Sequence, residues 1–372
     1  MIPFLSLKAG YLELKKEFDE AYHRVMDSGW FLLGEETEAF ESEYANYCDT
    51  KHCITVANGM DALVLSLLAY DIGAGDEVIV PSHTFIASWL AVTQVGATPV
   101  PVEPCCRTYN LDPDKVQSAI TDTTRAIMPV HLYGQPAQMA PLLDVAEKHN
   151  LIVLEDAAQS QGARYAGKRS GSLGHIAAHS FYPGKNLGAF SDGGAVTTND
   201  TAIADRVRML RNYGSKVKYH HEVAGVNSRI DEYQAAVLRI KLKYLDQWNA
   251  RRSSIASDYL KGLMDVPGIT LPYVVDEADP VWHLFVIRHP SRDRLQEQLK
   301  RRGVSTLIHY PVAAHLAGAY QHMELGVGSF PISEDLASSV LSLPVGPQQS
   351  AESTAEVIAA VREVCTCESF KP

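Results

Sequence analysis

Apolar positions along the chain follow two alternating patterns. Near the start, Leu14, Phe18, Ala21 or Tyr22, and Val25 recur at intervals of three and four, which predicts a helix ending near Asp27-Ser28-Gly29. Gly34 then precedes a second helix with Phe40 and Tyr44 on one face. Between them Gly29-Trp30-Phe31 forms an aromatic turn, read as a packed loop in preference to a ligand contact. From about residue 53 short apolar runs alternate with helical stretches. Residues 53–56, 77–80, 99–102, 126–130, 151–154 and 176–181 read as strands. Leu63, Leu67 and Leu68, and later Met139, Leu142, Leu143 and Ala146, mark helices between them. Such alternation predicts an α/β fold whose mostly parallel sheet carries helices on both faces. Ligands in that architecture gather beyond the carboxyl ends of the strands.

After Arg229 the helices lengthen, with Tyr233, Ala236, Val237 and Ile240 on one and Ile255, Tyr259 and Leu263 on the next. Beyond them the pattern predicts strands at 282–288 and 304–308, helices near 295–302 and 352–364, and a turn at 344–347. The expected division is a large domain over 1–250 and a small C-terminal α+β domain over 251–372.

Composition narrows the function classes. The 372 residues are 46% hydrophobic and 21% charged, which suits a soluble protein of about two domains. A net charge of −11 argues against sequence-independent binding to nucleic acid or to an anionic membrane surface. The opening MIPFLSLKAG lacks the signal-peptide pattern, and no stretch approaches the ~20 apolar residues that cross a bilayer. Six cysteines form neither CxxC pairs nor a disulfide framework, so a reducing cytoplasm is the expected location. No HExxH, P-loop or GxGxxG helix start after a strand is present.

Candidate chemistry lies at the predicted strand ends. Asn58-Gly59-Met60 stands where a strand meets a helix, so backbone N–H groups and the helix dipole can hold a phosphate there. Phe85 follows the next strand and is placed to stack on a flat ring, or to sit in the core. The apolar run 151–154 continues into Glu155 and Asp156. A carboxylate there is costly unless it meets a cation or strong donor, such as a pyridinium N–H; the competing reading makes Asp156 an N-cap. Lys185 lies 29 residues on, among Pro183, Gly184 and Gly188. Alone it reads as a solvated loop lysine. Behind Asp156 it reads as a Schiff-base lysine, and the constellation fits pyridoxal phosphate.

The order of these motifs resembles the sugar aminotransferases of the DegT/DnrJ/StrS family, fold type I pyridoxal phosphate enzymes related in architecture to aspartate aminotransferase. The resemblance runs from Phe31-Leu-Leu-Gly34 through Ala57-Asn-Gly-Met-Asp-Ala-Leu63, Pro81-Ser-His-Thr-Phe-Ile-Ala87, His131-Leu-Tyr-Gly134, Glu155-Asp-Ala-Ala-Gln-Ser160 and the lysine segment to Gly225-Val-Asn227-Ser-Arg229 and His309-Tyr310-Pro311. It implies that Lys185 binds the cofactor covalently and shuttles protons, Asp156 pairs with the pyridine nitrogen, Gln159 contacts the ring hydroxyl and Phe85 stacks on the ring. Phosphate is then held by Gly59, Met60, Ser180 and Asn227. Asn227 comes from a second subunit, which implies a homodimer with shared active sites. Met60 stands where relatives often have threonine.

The implied amino donor is L-glutamate, and the acceptor is a dTDP-linked keto sugar. The segment Phe181-Tyr182-Pro183-Gly184-Lys185-Asn186 looks most like enzymes acting on 3-keto-6-deoxyhexoses, serving surface polysaccharide (O-antigen) or glycoside biosynthesis. Tyr182 and His309 are the expected hexose contacts, and Tyr310 and Arg229 are further candidates for substrate binding. Lys218 and Tyr219, in the charged loop 213–221, are candidates for the diphosphate. Two alternatives are a 4-aminotransferase and a non-catalytic regulator of the same fold.

Overall fold

Seven strands build the central sheet of the computed structural model, which describes residues 1–367. Of the tail 365–372, to which the sequence assigns no chemistry, residues 368–372 lie outside the described residues. The strands are β1 (His52–Val56), β2 (Glu77–Pro81), β3 (Thr98–Val102), β4 (Thr124–Ile127), β5 (Ile152–Asp156), β6 (Ile176–Ser180) and β7 (Gly194–Thr198). Their spatial order is β1-β7-β6-β5-β4-β2-β3. Pairings from β3 through β2, β4 and β5 to β6 are parallel, whereas β7 runs antiparallel to both β6 and β1.

Side-chain alternation along these strands makes two cores. On one face Ile54, Val56, Val78, Val80, Leu154 and Val196 pack on the helices Gly59–Ala69, Ala87–Gln94 and Thr201–Leu210. On the other, Ile79, Ile127 and Val153 meet Met139, Leu142 and Ala146, while Cys53 and Ala195 meet Phe40, Tyr44 and Leu238. Each such buried aliphatic side chain contributes roughly 1.5–3 kcal/mol. A further cluster joins Ile255, Tyr259 and Leu263 to the antiparallel pair β8 (Phe285–Arg288) and β9 (Val340–Leu343) and to Val357 and Val361. The helix Leu245–Leu263 runs unbroken through position 250.

Several expectations need correction. Residues 304–308 do not form a strand; Val304 and Leu307 make only single bridges, to Ile2 and Ser342. The partner of β8 is instead 340–343, for which the sequence predicts no element. Strand β4 stops at Ile127, short of the predicted 130. The aromatic turn is not packed: Trp30 is 62% exposed and Phe31 is 52% exposed, just after Gly29 closes the helix Lys15–Ser28 in the left-handed region at φ 65°. Among the described residues no helix is long and apolar enough to cross a membrane.

Candidate active site

The carboxyl ends of β1, β2, β5 and β6 open into one cavity of about 840 Å³, lined among others by Gly59, Met60, Phe85, Asp156, Gln159, Ser180, Tyr182, Lys185, His309 and Tyr310. Ten positions expected from the sequence therefore share one space.

At the end of β1 the chain turns into the helix Gly59–Ala69, capped by Asn58, whose Oδ1 accepts from Asp61 N at 2.8 Å. The first N–H groups of that helix, at Gly59 and Met60, have no acceptor within it. A Cβ added at Gly59 would lie 2.5 Å from Ser180 Cβ, so glycine is what lets the helix start approach the end of β6. The result is a backbone cradle suited to an anion.

Asp156 ends β5 and is 6% exposed. Its carboxylate accepts from Ser88 Oγ at 2.8 Å and from Ala158 N at 3.2 Å. Burial raises its pKa, and those two donors, with the charge of Lys185, oppose the rise without cancelling it. No helix follows, so Asp156 is not an N-cap; residues 157–162 form turns. Both hydrogen-bond donors are neutral, and among the described residues no cation is bonded to the carboxylate.

Lys185 is half-buried in the loop after β6, anchored by its own N–H to Tyr182 O at 2.8 Å. The next residue clamps the loop: Asn186 donates to Asn249 Oδ1 at 2.8 Å and to Val281 O at 2.9 Å, and His283 Nδ1 donates to its Oδ1 at 3.2 Å. Burial lowers the Lys185 pKa to about 8, against a smaller opposing pull from Asp156. A lysine so placed is largely neutral only above that value, whereas an unperturbed one needs pH above roughly 10.4. Acylation of Lys185 by acetic anhydride in cofactor-free protein, followed by peptide mass spectrometry, is therefore expected to rise through about pH 8 and then level off. A midpoint near that of exposed lysines would contradict this environment.

Around these groups the cavity wall is a hydrogen-bonded set. Gln159 Oε1 accepts from Tyr133 N at 2.7 Å, and its Nε2 donates to Tyr310 OH at 3.1 Å. Tyr133 OH accepts from His83 Nε2 at 2.9 Å and donates to His309 O. Phe85, 51% exposed, leans against Tyr310 with ring centroids 5.3 Å apart. Tyr182, 58% exposed, also borders the cavity. His309 Nδ1 lies 2.8 Å from Ser342 Oγ, and burial, then the charge of Lys185, lowers its pKa to about 4.

Four expected residues stand elsewhere. Asn227 is exposed beyond the loop 213–221 and does not line the cavity of its own chain. Arg229 donates to Asn212 Oδ1 at 3.2 Å and lies over Tyr213. Lys218 and Tyr219 occupy the tip of an exposed hairpin between Ser215–Val217 and His220–His221. Conversely, the sequence reading missed Ser88, His283 and Arg252. Ser88 had a findable signal, in the first turn of the helix that follows Phe85.

An anion cradle, a buried carboxylate short of a cation and a lysine inclined to lose its proton fit the phosphate, ring nitrogen and aldehyde of pyridoxal phosphate.

Comparison with known proteins agrees with this chemistry. The model of the DegT/DnrJ/EryC1/StrS aminotransferase family matches residues 12–362. A dTDP-3-amino-3,4,6-trideoxy-alpha-D-glucose transaminase of Streptomyces venezuelae is 57% identical over 362 residues, 97% of this chain and 96% of that one. A dTDP-3-amino-3,6-dideoxy-alpha-D-galactopyranose transaminase of Aneurinibacillus thermoaerophilus is 54% identical over 361 residues, 97% and 99% of the two chains. The crystal structure of S. venezuelae DesV in complex with a ketimine intermediate has a TM-score of 0.97 at 57% identity, over 98% of this chain and 99% of that one.

Proposed function

The chain belongs to the DegT/DnrJ/EryC1/StrS aminotransferase family, and from that premise we propose that it transfers the amino group of L-glutamate to C3 of a dTDP-linked 3-keto-6-deoxyhexose. Pyridoxal 5′-phosphate is the cofactor, and the product is a dTDP-3-amino-3,6-dideoxyhexose. The observation that carries the reading is the single cavity holding both Lys185 and Asp156. Amination at C3 is supported by two relatives, 57% and 54% identical, whose names both specify a 3-amino sugar.

When bound, pyridoxal phosphate supplies an electron sink for breaking a carbon–hydrogen bond next to nitrogen. Gly59 and Met60 N–H and Ser180 Oγ would hold its phosphate, Asp156 its ring nitrogen and Gln159 its hydroxyl, with Phe85 against a ring face. Lys185 carries the proton. Its Nζ would take the proton that leaves the donor's α-carbon and would hold and deliver the proton that the sugar's C3 gains. Burial serves this step, because a pKa near 8 lets one amine both give and take a proton near neutral pH. Tyr182, His309 and Tyr310 border the space where the hexose would lie, and with its lowered pKa His309 presents a neutral ring to sugar hydroxyls.

A homodimer with shared sites is part of the proposal. Asn227, Arg229, Lys218 and Tyr219 stand outside their own cavity, among exposed apolar residues such as Tyr213, Val217 and Val226. In a dimer they would complete the phosphate and diphosphate sites of the second copy. The remaining parts are a division into domains at residue 250, a cytoplasmic location and a product destined for surface polysaccharide or glycoside.

Incubation with L-glutamate and either dTDP-3-keto- or dTDP-4-keto-6-deoxyhexose tests the reading, with the product located by mass spectrometry and NMR. Amine is expected at C3 only. Amine at C4 would overturn the position, and absence of turnover with tight cofactor binding would make the chain a binding protein.

A further inference from the structure

One buried cation has no task in this scheme. Arg252, on the helix Leu245–Leu263, is 4% exposed and lines the cavity. Its Nη1 donates to Val345 O at 2.5 Å, and among the described residues no carboxylate pairs with it. Arg211, comparably buried, shows the usual arrangement: it is paired with Glu41 at 2.5 Å. A guanidinium has five N–H groups, so most of those on Arg252 lack a protein acceptor. They are not sealed into protein either, since none is a fully enclosed, unpartnered atom. The accessible space beside them is the cavity.

Its position is on the lysine side. Asn249, three residues earlier and on the same helix face, holds Asn186 next to Lys185. His283, which donates to that same Asn186, lies within the field of both Lys185 and Arg252. A buried cation without a counter-charge is destabilising, so the site is complete only with an anion. Cofactor phosphate already has the cradle at Gly59. The sugar's diphosphate is attached at C1, a hexose ring removed from the carbonyl that reacts at Lys185. An amino acid's carboxylate is one bond from its reacting carbon.

We propose that Arg252 is the carboxylate subsite for the amino donor, its fork donating paired N–H···O bonds to one carboxylate of a dicarboxylic amino acid. This rests on the aminotransferase reading. The two half-reactions separate the ideas: donor half-reaction, followed by loss of the holoenzyme's visible absorption with L-glutamate alone, and sugar half-reaction, followed by product formation from the pyridoxamine-phosphate-loaded enzyme.

Arg252→Met is expected to raise the half-saturating L-glutamate concentration roughly 100-fold and to remove calorimetric binding of glutarate, a dicarboxylate without an amine. The sugar half-reaction is expected to stay within about 3-fold. Arg252→Lys keeps the charge and loses the fork, so it should show the same split at roughly 10-fold; it also serves if the methionine variant does not fold. L-alanine as donor identifies the carboxylate: an equal loss assigns the α-carboxylate, and a loss confined to L-glutamate assigns the side-chain one. Equal damage to both half-reactions, or unchanged glutarate binding, overturns the subsite. If the unaltered enzyme runs neither half-reaction, the aminotransferase reading fails, and glutarate binding to wild type and variant still decides whether Arg252 holds a carboxylate.

Discussion

Lys185→Ala is expected to lower kcat by roughly 10⁴-fold, the size associated with losing a covalent anchor and a general acid/base together. The holoenzyme's visible absorption should disappear with it. The same substitution should not harm the fold. Among the described residues Lys185 Nζ has no hydrogen-bond partner, and its loop is held through its own backbone N–H and the Asn186 side chain. The sign of the stability change follows from the pKa. A lysine whose folded value falls to about 8 from an unfolded value near 10.4 opposes folding below pH 8, and that opposition fades as pH rises through the interval. Alanine should therefore raise Tm slightly at pH 7, with the gain vanishing by about pH 10. Lys185→Arg should be as inactive as alanine, because a guanidinium does not give up its proton in this range. Near-normal turnover in either variant would remove Lys185 from the chemistry.

Much of this site was legible because its residues sit at strand ends, where hydrophobic runs are punctuated by glycine and acid. Asn58-Gly59-Met60, Phe85, Asp156 and Lys185 each follow such a run, and parallel topology delivers those ends to one edge. Strand β7 was not legible: Gly193 and Gly194 signal a turn, and only four residues, two of them threonine, follow. Its burial comes from β1 and β6 on either side, a tertiary fact. Strand β9 follows directly on the helix Pro331–Ser339, with no glycine or proline between them to mark its start. Residues 304–308 have strand composition but no partner in register.

Arg252 illustrates a recoverable miss. In the run Asn249-Ala250-Arg251-Arg252 it looks like solvated charge. Yet Asn249, Arg252, Ile255, Ala256, Tyr259 and Leu263 recur at helical spacing, and all are buried. The stripe that identifies Ile255 and Tyr259 as core extends backward onto a charge, and that conflict between pattern and residue type is itself a mark of a site. Asn227 is different in kind. It does not line the cavity of its own chain, so its assignment to the phosphate rests on the proposed second copy.

Asp156 holds its place through its neighbour, and Glu155→Ala is expected to cost about 3–5 kcal/mol of stability, the range for breaking a buried, fully bonded charge. Glu155 is 0% exposed and points to the opposite face of β5 from Asp156. Its Oε1 accepts from Leu173 N at 2.7 Å and Gly174 N at 2.8 Å; its Oε2 accepts from Gly171 N at 2.8 Å and His131 Nε2 at 2.9 Å. His131 can only donate there, because its Nδ1 accepts from Ala137 N at 3.1 Å. The chain of bonds continues through Gly171 O to Thr197, then His179 and Tyr44. Four donors thus converge on one carboxylate. Alanine would leave four buried N–H groups unpaired. Glutamine would fare little better, since its amide offers one acceptor oxygen and turns N–H toward N–H. Glu155→Gln is accordingly expected to lose nearly as much stability as Glu155→Ala, read as urea midpoints at pH 7. Burial raises the Glu155 pKa, but the His131 bond and the backbone donors outweigh it and hold the carboxyl below its ordinary value. Its contribution is therefore complete above the unfolded carboxyl pKa and lost as pH falls through the lower folded one. The wild-type advantage over both variants should shrink in acid. A glutamine variant as stable as wild type at pH 7 would mean that the four donors do not depend on this carboxylate.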